Sequence, residues 1–232
     1  MSPASKSSAP QSIVIAVDGT AASGKGTLAK KLAQHFGFAH LDSGALYRLT
    51  ALAVLEANGD PKSEADALKG AQTIDFNRAG DPAIRTDIVG KAASHVAAIP
   101  AVRQALLDFQ QNFLAHPPGG GPGAVMDGRD IGTVICPTAT AKLYVDAAPE
   151  IRARRRWNEL KTMGIRRAEQ DVLNEINARD AADKSRPVSP LKQAPDADLL
   201  DTSNLGIDAA FAAALALVSS KVEGALKDRH RG

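Results

Sequence analysis

Residues 12 to 27 read "SIVIAVDGTAASGKGT", an apolar, β-branched run that gives way to three glycines, small side chains and a single lysine. Ser12 to Asp18 has the length and Val/Ile content of a buried parallel strand. From Lys25 onward, Leu28, Ala29, Leu32, Ala33 and Phe36 recur at spacings of three and four, which predicts a helix with one face turned inward. The glycines bridge the two. Gly19 can take backbone angles closed to other residues, while Gly24 and Gly26 leave N–H groups free to converge on an anion at the helix N-terminus. Lys25 adds a mobile positive charge. Gly19 to Lys25 fits G-x-x-x-x-G-K, the phosphate-binding loop, with Gly26 in the usual Ser/Thr position and Thr27 after it. Such a loop binds a triphosphate, but it does not separate a kinase from a GTPase switch or a motor.

At 232 residues the chain has room for one α/β domain with an insertion, or for two small domains. The net charge is only +2, so a generally basic surface that coats nucleic acid is not indicated. Cys136 is the only cysteine; it cannot close an intramolecular disulfide and reads as a packed small hydrophobe. Residues 1 to 11, "MSPASKSSAPQ", lack the apolar stretch of a secretory signal and read as a disordered tail. No run approaches the roughly 18 apolar residues that a membrane span requires. The expectation is therefore a soluble cytoplasmic protein.

Further along, "FAHLDSGALYRLTALAVLEANG" predicts a short strand over 38–41 and a helix over about 44–57, capped by Asp42 or Ser43, with Tyr47 and Arg48 in its first turns. A free hydroxyl and an arginine at a helix entrance suit a second phosphate. Between Asp60 and Pro100, prolines, glycines and charges surround short pieces, as in an insertion rather than a βα repeat. "DIVGKAASHVAAI" and "AVRQALLDFQQNFLA" predict helices on either side of Pro100, and "HPPGGGPG" a loop. "AVMDGRDIGTVICP", "AKLYVDAAPE" and "DADLLDTSN" supply three more strands, and a last helix spans about 207–226. Strand and helix in alternation predict a parallel, five-stranded sheet covered on both faces.

Open α/β sheets bind ligands at the C-terminal ends of their strands. Asp18, Asp42, Asp127, Asp130 and Asp146 all fall there, opposed by Lys25, Arg48 and Arg129. Phosphoryl transfer needs such a set, because an anionic donor and an anionic acceptor repel and must be held in line by cations. "APEIRARRRWNELKTMG" puts Arg152, Arg155 and Arg156 at helical spacings that predict a shared face. With Arg179, Asp183 and Arg186 they suit a lid that closes over a triphosphate.

"GTAASGKGT", "LDSGALYR", "IRTDIV", "AASHVAAIPAVRQALL", "MDGRDIGTVICPTATAKLYVDA" and "INARDAADKSRPVSPL" together resemble bacterial cytidylate kinases, in the family's order from about Ile13 to Leu200. "LDSGALYR" and "DGRDIGT" are specific in combination, whereas the phosphate loop is generic. The resemblance implies the α/β fold of P-loop nucleoside monophosphate kinases and transfer of the γ-phosphoryl group of ATP to CMP or dCMP. Magnesium would be carried with the ATP rather than held by a protein metal site. No nucleic acid, membrane or obligate protein partner is implied. Residues 12–228 would form one kinase domain, with about 60–100 as an acceptor-binding insertion and about 149–187 as lid and flanking helices.

The same resemblance implies roles for particular residues. Gly19, Thr20, Ala21, Ala22, Ser23, Gly24, Lys25, Gly26 and Thr27 would cradle ATP, with Arg152 and Arg156 as the lid pair over it. Ser43, Tyr47 and Arg48 would line the acceptor nucleotide, and Ser94 and Arg103 would reach cytosine. Arg129 would sit on the α-phosphate and Asp130 on the cytosine amino group. Arg179 and Asp183 would hold the ribose, and Arg186 would face the phosphates. Lys25, Arg129 and Arg186 are thus the expected catalytic cations. Two departures stand out. "TIDFNRAGDPAIRTDIV" is shorter than the family's hairpin region, which predicts a reduced antiparallel sheet, and His95 has no assigned role. Among rival readings, a kinase for UMP, AMP or a small metabolite would not need the Arg129–Asp130 pair. A regulatory GTPase lacks its guanine-reading Asn/Thr-Lys-x-Asp sequence here. A nucleic-acid-binding ATPase would lack stacking platforms, since aromatic residues are 4% of the chain.

Overall fold

The computed structural model describes residues 12–231; the tail expected over residues 1–11 lies outside them. Five strands form one parallel sheet in the order β2-β3-β1-β4-β5: β1 Ile13–Gly19, β2 Ala39–Asp42, β3 Gly123–Gly128, β4 Ala141–Asp146 and β5 Asp198–Asp201. Central β1 is buried along its whole length, which is why it reads as an unbroken apolar run rather than an alternation. Its side chains still divide by the period of two. Val14 and Ala16 join the core under α2 (Ser43–Glu56), α4 (Asp87–Val96) and α5 (Pro100–Ala115), whereas Ile13, Ile15 and Val17 join the core under α1 (Lys25–Phe36) and α8 (Ile207–Arg231).

The segment Ile207–Arg229 of α8 is long and apolar enough, by length and composition, to cross a membrane. Here it covers the sheet. Ala210, Ala214, Val218 and Val222 form a buried stripe at four-residue spacing, and Lys31–Asp208 and Lys221–Asp198 ion pairs tie its polar side to α1 and β5.

The insertion differs from the expectation. Among the described residues there is no strand between 60 and 100: α3 (Glu64–Gln72), two single 3-10 turns (Phe76–Gly80 and Pro82–Arg85) and α4 fill it. Local capping explains the change. The Asp75 carboxylate accepts from Asn77 N at 2.9 Å and that of Asp81 from Ala83 N at 2.8 Å, so each short piece is turned into a helical turn before a strand can extend. Fully buried Ile84 anchors the second turn in the core.

The helices α6 (Pro149–Thr162) and α7 (Glu169–Ser185) pack through their own small core of Ala153, Leu160, Val172 and Ile176, against which Ala22 of the phosphate loop rests. The strand-to-loop junction tolerates no side chain, since a Cβ at Gly19 would overlap the Val145 carbonyl oxygen on β4. Because that neighbour is sheet backbone, Gly19→Ala is expected to cost about 1–3 kcal/mol, read as a lowered urea midpoint with an unchanged slope.

Candidate active site

The phosphate loop leaves β1 at Gly19 and enters α1 through Gly24, whose left-handed backbone (φ 88) turns the chain into the helix. Four anchors hold it from outside the motif. Thr20 Oγ1 donates to Asp146 Oδ1 at 2.6 Å, and Thr202 Oγ1 donates to the Ser23 carbonyl at 3.0 Å. Arg152 donates to the Ala21 carbonyl at 3.1 Å, while Ala21 N donates to Asp180 Oδ1 at 3.4 Å. Lys25 Nζ folds back onto the Thr20 carbonyl at 3.2 Å. Burial, with Arg129 next in importance, lowers its pKa to about 7, against the opposing pull of Asp127. An ammonium so destabilised gains much from an incoming phosphate.

Opposite the loop, Asp42 caps α2 by accepting from Ala45 N at 3.2 Å. Arg48 leaves that helix to donate to the Ile84 carbonyl at 2.6 Å, passing Gly90, where a Cβ would sit 3.5 Å from both terminal nitrogens. Arg103 on α5 and Asp130 after β3 form a buried ion pair, and the Arg103 guanidinium lies 5.4 Å from the centre of the Tyr47 ring. Ser94 lies nearby on α4, its hydroxyl donating to the Gly90 carbonyl at 3.3 Å.

Between these halves the cations outnumber their partners. Arg129 Nε donates to Asp183 Oδ2 at 2.8 Å. Burial opposes its charge, but Asp183, Asp180 and Asp127 push its pKa above the usual range. Burial would raise the pKa of Asp183, but Arg129 and Arg179 overcome it and hold that carboxyl low. Arg179 and Arg186 are different. Arg179 Nε, Arg186 Nε and one terminal nitrogen of Arg186 are buried without a hydrogen-bond partner. Burial, then Arg129, lowers the pKa of Arg179 to about 10, and burial lowers that of Arg186. Desolvated guanidinium donors in a field of like charge are costly unless an anion joins them.

Three site residues stand differently from the sequence reading. Ser43 spends its hydroxyl proton on the Asp127 carbonyl at 2.7 Å and is buried, which leaves only its oxygen lone pairs for an acceptor nucleotide. Arg152 is saturated: it donates to the carbonyls of Ala147 and Ala21 and pairs with Asp180 at 2.7 Å, bracing the loop instead of offering a free cation. Arg155 does not share a face with Arg152 and Arg156; it turns to Thr202, donating to its hydroxyl at 3.0 Å and its carbonyl at 2.5 Å. Arg156 alone of the three points to the insertion, meeting Asp87 at 3.3 Å.

A family model described as cytidylate kinase matches residues 15–220, nearly the whole described fold and both halves of the cleft. The chain belongs to the cytidylate kinase family. It is 52% identical to the cytidylate kinase of Nitrobacter winogradskyi over 208 residues, 90% of this chain and 96% of that one. It is 50% identical to that of Rhodospirillum rubrum over 209 residues, 90% and 98% of the two chains. Among solved structures, an uncharacterized protein from Eubacterium ventriosum superposes with a TM-score of 0.50 at 14% identity, covering 90% of this chain and 99% of that one, a likeness of fold alone.

Several residues that shape this cytidylate kinase site escape a reading by motif. Asp180, Thr202 and His40 lie in no phosphate-binding signature, yet the first two hold the loop and His40 Nε2 meets Asp127 Oδ1 at 2.9 Å. Asp87 receives both Arg156 and, at 2.9 Å, Arg167, joining α4 to α6 and the turn that follows it. Asp146 gave a signal as an acidic residue at a strand end, and Asp180 and Asp87 only as members of the quoted family stretches. His95 is exposed on α4 and meets none of the site residues through a hydrogen bond or ion pair among those described.

Proposed function

We infer that the protein transfers the γ-phosphoryl group of ATP to CMP or dCMP, giving ADP and CDP or dCDP. The observation that carries this reading is the convergence of Lys25, Arg129, Arg179 and Arg186 between the phosphate loop and the buried Arg103–Asp130 pair, with guanidinium donors left unsatisfied. Lys25 would bridge the donor phosphates and the transferring group, while Arg129 and Arg186 would hold the acceptor phosphate in line. No dedicated base is needed, since a nucleotide phosphate is largely ionised near neutral pH. Asp130 would accept from the cytosine amino group, Tyr47 and Arg103 would flank the base, and Arg179 and Asp183 would hold the sugar. Residues 60–100 would serve as the acceptor-binding insertion and 149–187 as the lid.

Magnesium would arrive on the ATP. The donor set suits this: Asp127 Oδ2 faces the start of α1, 3.4 Å from where a Cβ at Gly26 would stand. One carboxylate beside substrate phosphates is the arrangement a magnesium ion takes. The ion would neutralise the donor's β- and γ-oxygens.

The arginines of α6 support a lid over an RNA patch, because Arg152, Arg154, Arg155 and Arg156 each already have a carboxylate or carbonyl partner. The deciding experiment is a coupled ADP-release assay across CMP, dCMP, UMP, AMP and GMP. Turnover confined to the cytidine nucleotides is expected; no acceptor-dependent turnover would sink the kinase reading. Arg156→Ala should lower kcat about tenfold with little change in the KM for CMP, because a lid cation aimed at transition-state charge acts chiefly there.

A further inference from the structure

Asp18 is the penultimate residue of β1, just before the phosphate loop, where an acidic side chain reads as part of the catalytic cleft. It faces elsewhere. Its Oδ1 accepts from Ile131 N and its Oδ2 from Gly132 N, both at 2.8 Å and both fully buried. These are the first two amides of a single wide turn, Ile131–Ile135, closed by bonds five residues apart: Ile135 N to the Asp130 carbonyl at 3.1 Å and Cys136 N to the Ile131 carbonyl at 2.7 Å. A turn of this width leaves its leading amides without partners of its own. The residues immediately before it are Arg129 and Asp130. One carboxylate therefore joins the root of the donor cradle to the turn that carries the acceptor-reading pair.

We propose that Asp18 is a positioning residue for acceptor recognition: as a carboxylate it pins the Ile131 and Gly132 amides and so aims Arg129 and Asp130, and as a neutral acid it releases one of them. The chemistry is a proton balance. A proton taken by either oxygen from solvent turns that acceptor into an O–H donor, which then faces an N–H, and one of the two bonds is lost. The groups that face Asp18 favour this event near physiological pH. Burial raises its pKa to about 6; the Gly132 and Ile131 amides oppose the rise, Asp130 adds to it and Arg129 works against it. From β4, Tyr144 pairs with it in register, and the hydrocarbon of Lys142 lies against Gly132, its ammonium held by Asp196 at 2.8 Å. On the β3 side, Gly128 stands opposite.

The sign of the linkage separates positioning from mere support. A carboxyl raised in the folded state binds its proton more tightly than the unfolded chain does, so its contribution to stability is greatest at low pH and declines as pH rises toward about 6. The ionised form at neutral pH is maintained against the preference of the fold.

The proposal rests on the acceptor-site reading above, and the test has one arm free of any substrate. In the apo wild-type protein, the amide ¹⁵N resonances of Ile131 and Gly132 should titrate together with a midpoint near 6; amides that stay fixed between pH 5 and 8 would overturn it. In the second arm, Asp18→Asn should lose roughly tenfold in kcat/KM for CMP at pH 8, mostly through KM. The ratio of wild-type to variant efficiency should fall toward one as pH drops below 6, because the wild type then carries the proton too. That ratio cancels the ionisation of CMP itself. A ratio constant from pH 5.5 to 8 would mark Asp18 as a structural prop. Moving amides with no CMP turnover would instead point to an error in the acceptor assignment.

Discussion

Lys25→Ala is expected to lower kcat by about two to three orders of magnitude, the loss that follows removal of a preorganised charge from a transferring group. Its circular dichroism should match the parent, because the Lys25 ammonium makes one hydrogen bond, to the Thr20 carbonyl, and spends it inside the loop. A proton count gives a second readout. With its pKa lowered to about 7 by burial and by Arg129, the lysine is mostly neutral at pH 8 in the apo protein, and a bound triphosphate should restore its charge. ATP binding at pH 8 should then take up close to one proton, about 0.9 by that pKa, measured by titration calorimetry in buffers of different ionisation enthalpy. Lys25→Ala should abolish the uptake. The stability sign runs the other way: the unfolded chain holds this proton more tightly, so the parent gains stability as pH rises from about 7 toward the ordinary lysine range. Near-parental turnover in the variant would mean that the phosphate loop is not the catalytic cradle.

The centre of the sheet was legible because β1, β3 and β4 are buried on both faces and the covering helices on one. "SIVIAVD" can only be a central strand of such a sheet, and Ala210, Ala214, Val218 and Val222 mark the covering face of α8 at a spacing that sequence displays directly. The 60–100 insertion was not legible in the same way. Its pieces are too short for periodicity to decide, and the outcome turned on Asp75 and Asp81 bonding to amides two residues ahead, a choice between local turn and extended pairing that composition does not settle.

In the site, residue types announced a charge but not its partner. Arg152, Arg155 and Arg156 look alike in sequence, and three- and four-residue spacing predicts one face. Yet the long arginine stem lets each guanidinium choose its own direction: Arg152 goes to Ala21 and Asp180, Arg155 to Thr202, and Arg156 to Asp87. Long-range pairings such as those of Asp180 and Thr202 carry no local signature because they are made by tertiary packing, of α7 against the loop for Asp180 and of the end of β5 for Thr202, which brings residues 159 and 179 positions apart into contact. Ser43 shows the same limit on a small scale. A hydroxyl at a helix entrance suits a phosphate, but here the β3 backbone reaches it first.

Asp130→Ala should reduce kcat/KM for CMP by about one to two orders of magnitude, since a buried charge-assisted hydrogen bond is worth about 1.5–3 kcal/mol. UMP should be affected far less. The carboxylate can accept from the amino group of cytosine but meets only a carbonyl oxygen when uracil takes its place, and a desolvated charge is then left facing an acceptor. The buried pair with Arg103 complicates the alanine variant, because truncation strands that guanidinium beside Tyr47. Asp130→Asn resolves the difficulty. It keeps the shape, still offers an oxygen to Arg103, and presents an amide N–H that can donate to the uracil carbonyl. Relative to the parent, Asp130→Asn should therefore shift the CMP-to-UMP efficiency ratio toward UMP, while its thermal midpoint stays closer to the parent's than that of Asp130→Ala. Equal losses for CMP and UMP in both variants would assign Asp130 to the fold or to transfer in general, and base recognition would have to be sought elsewhere around Tyr47 and Arg103.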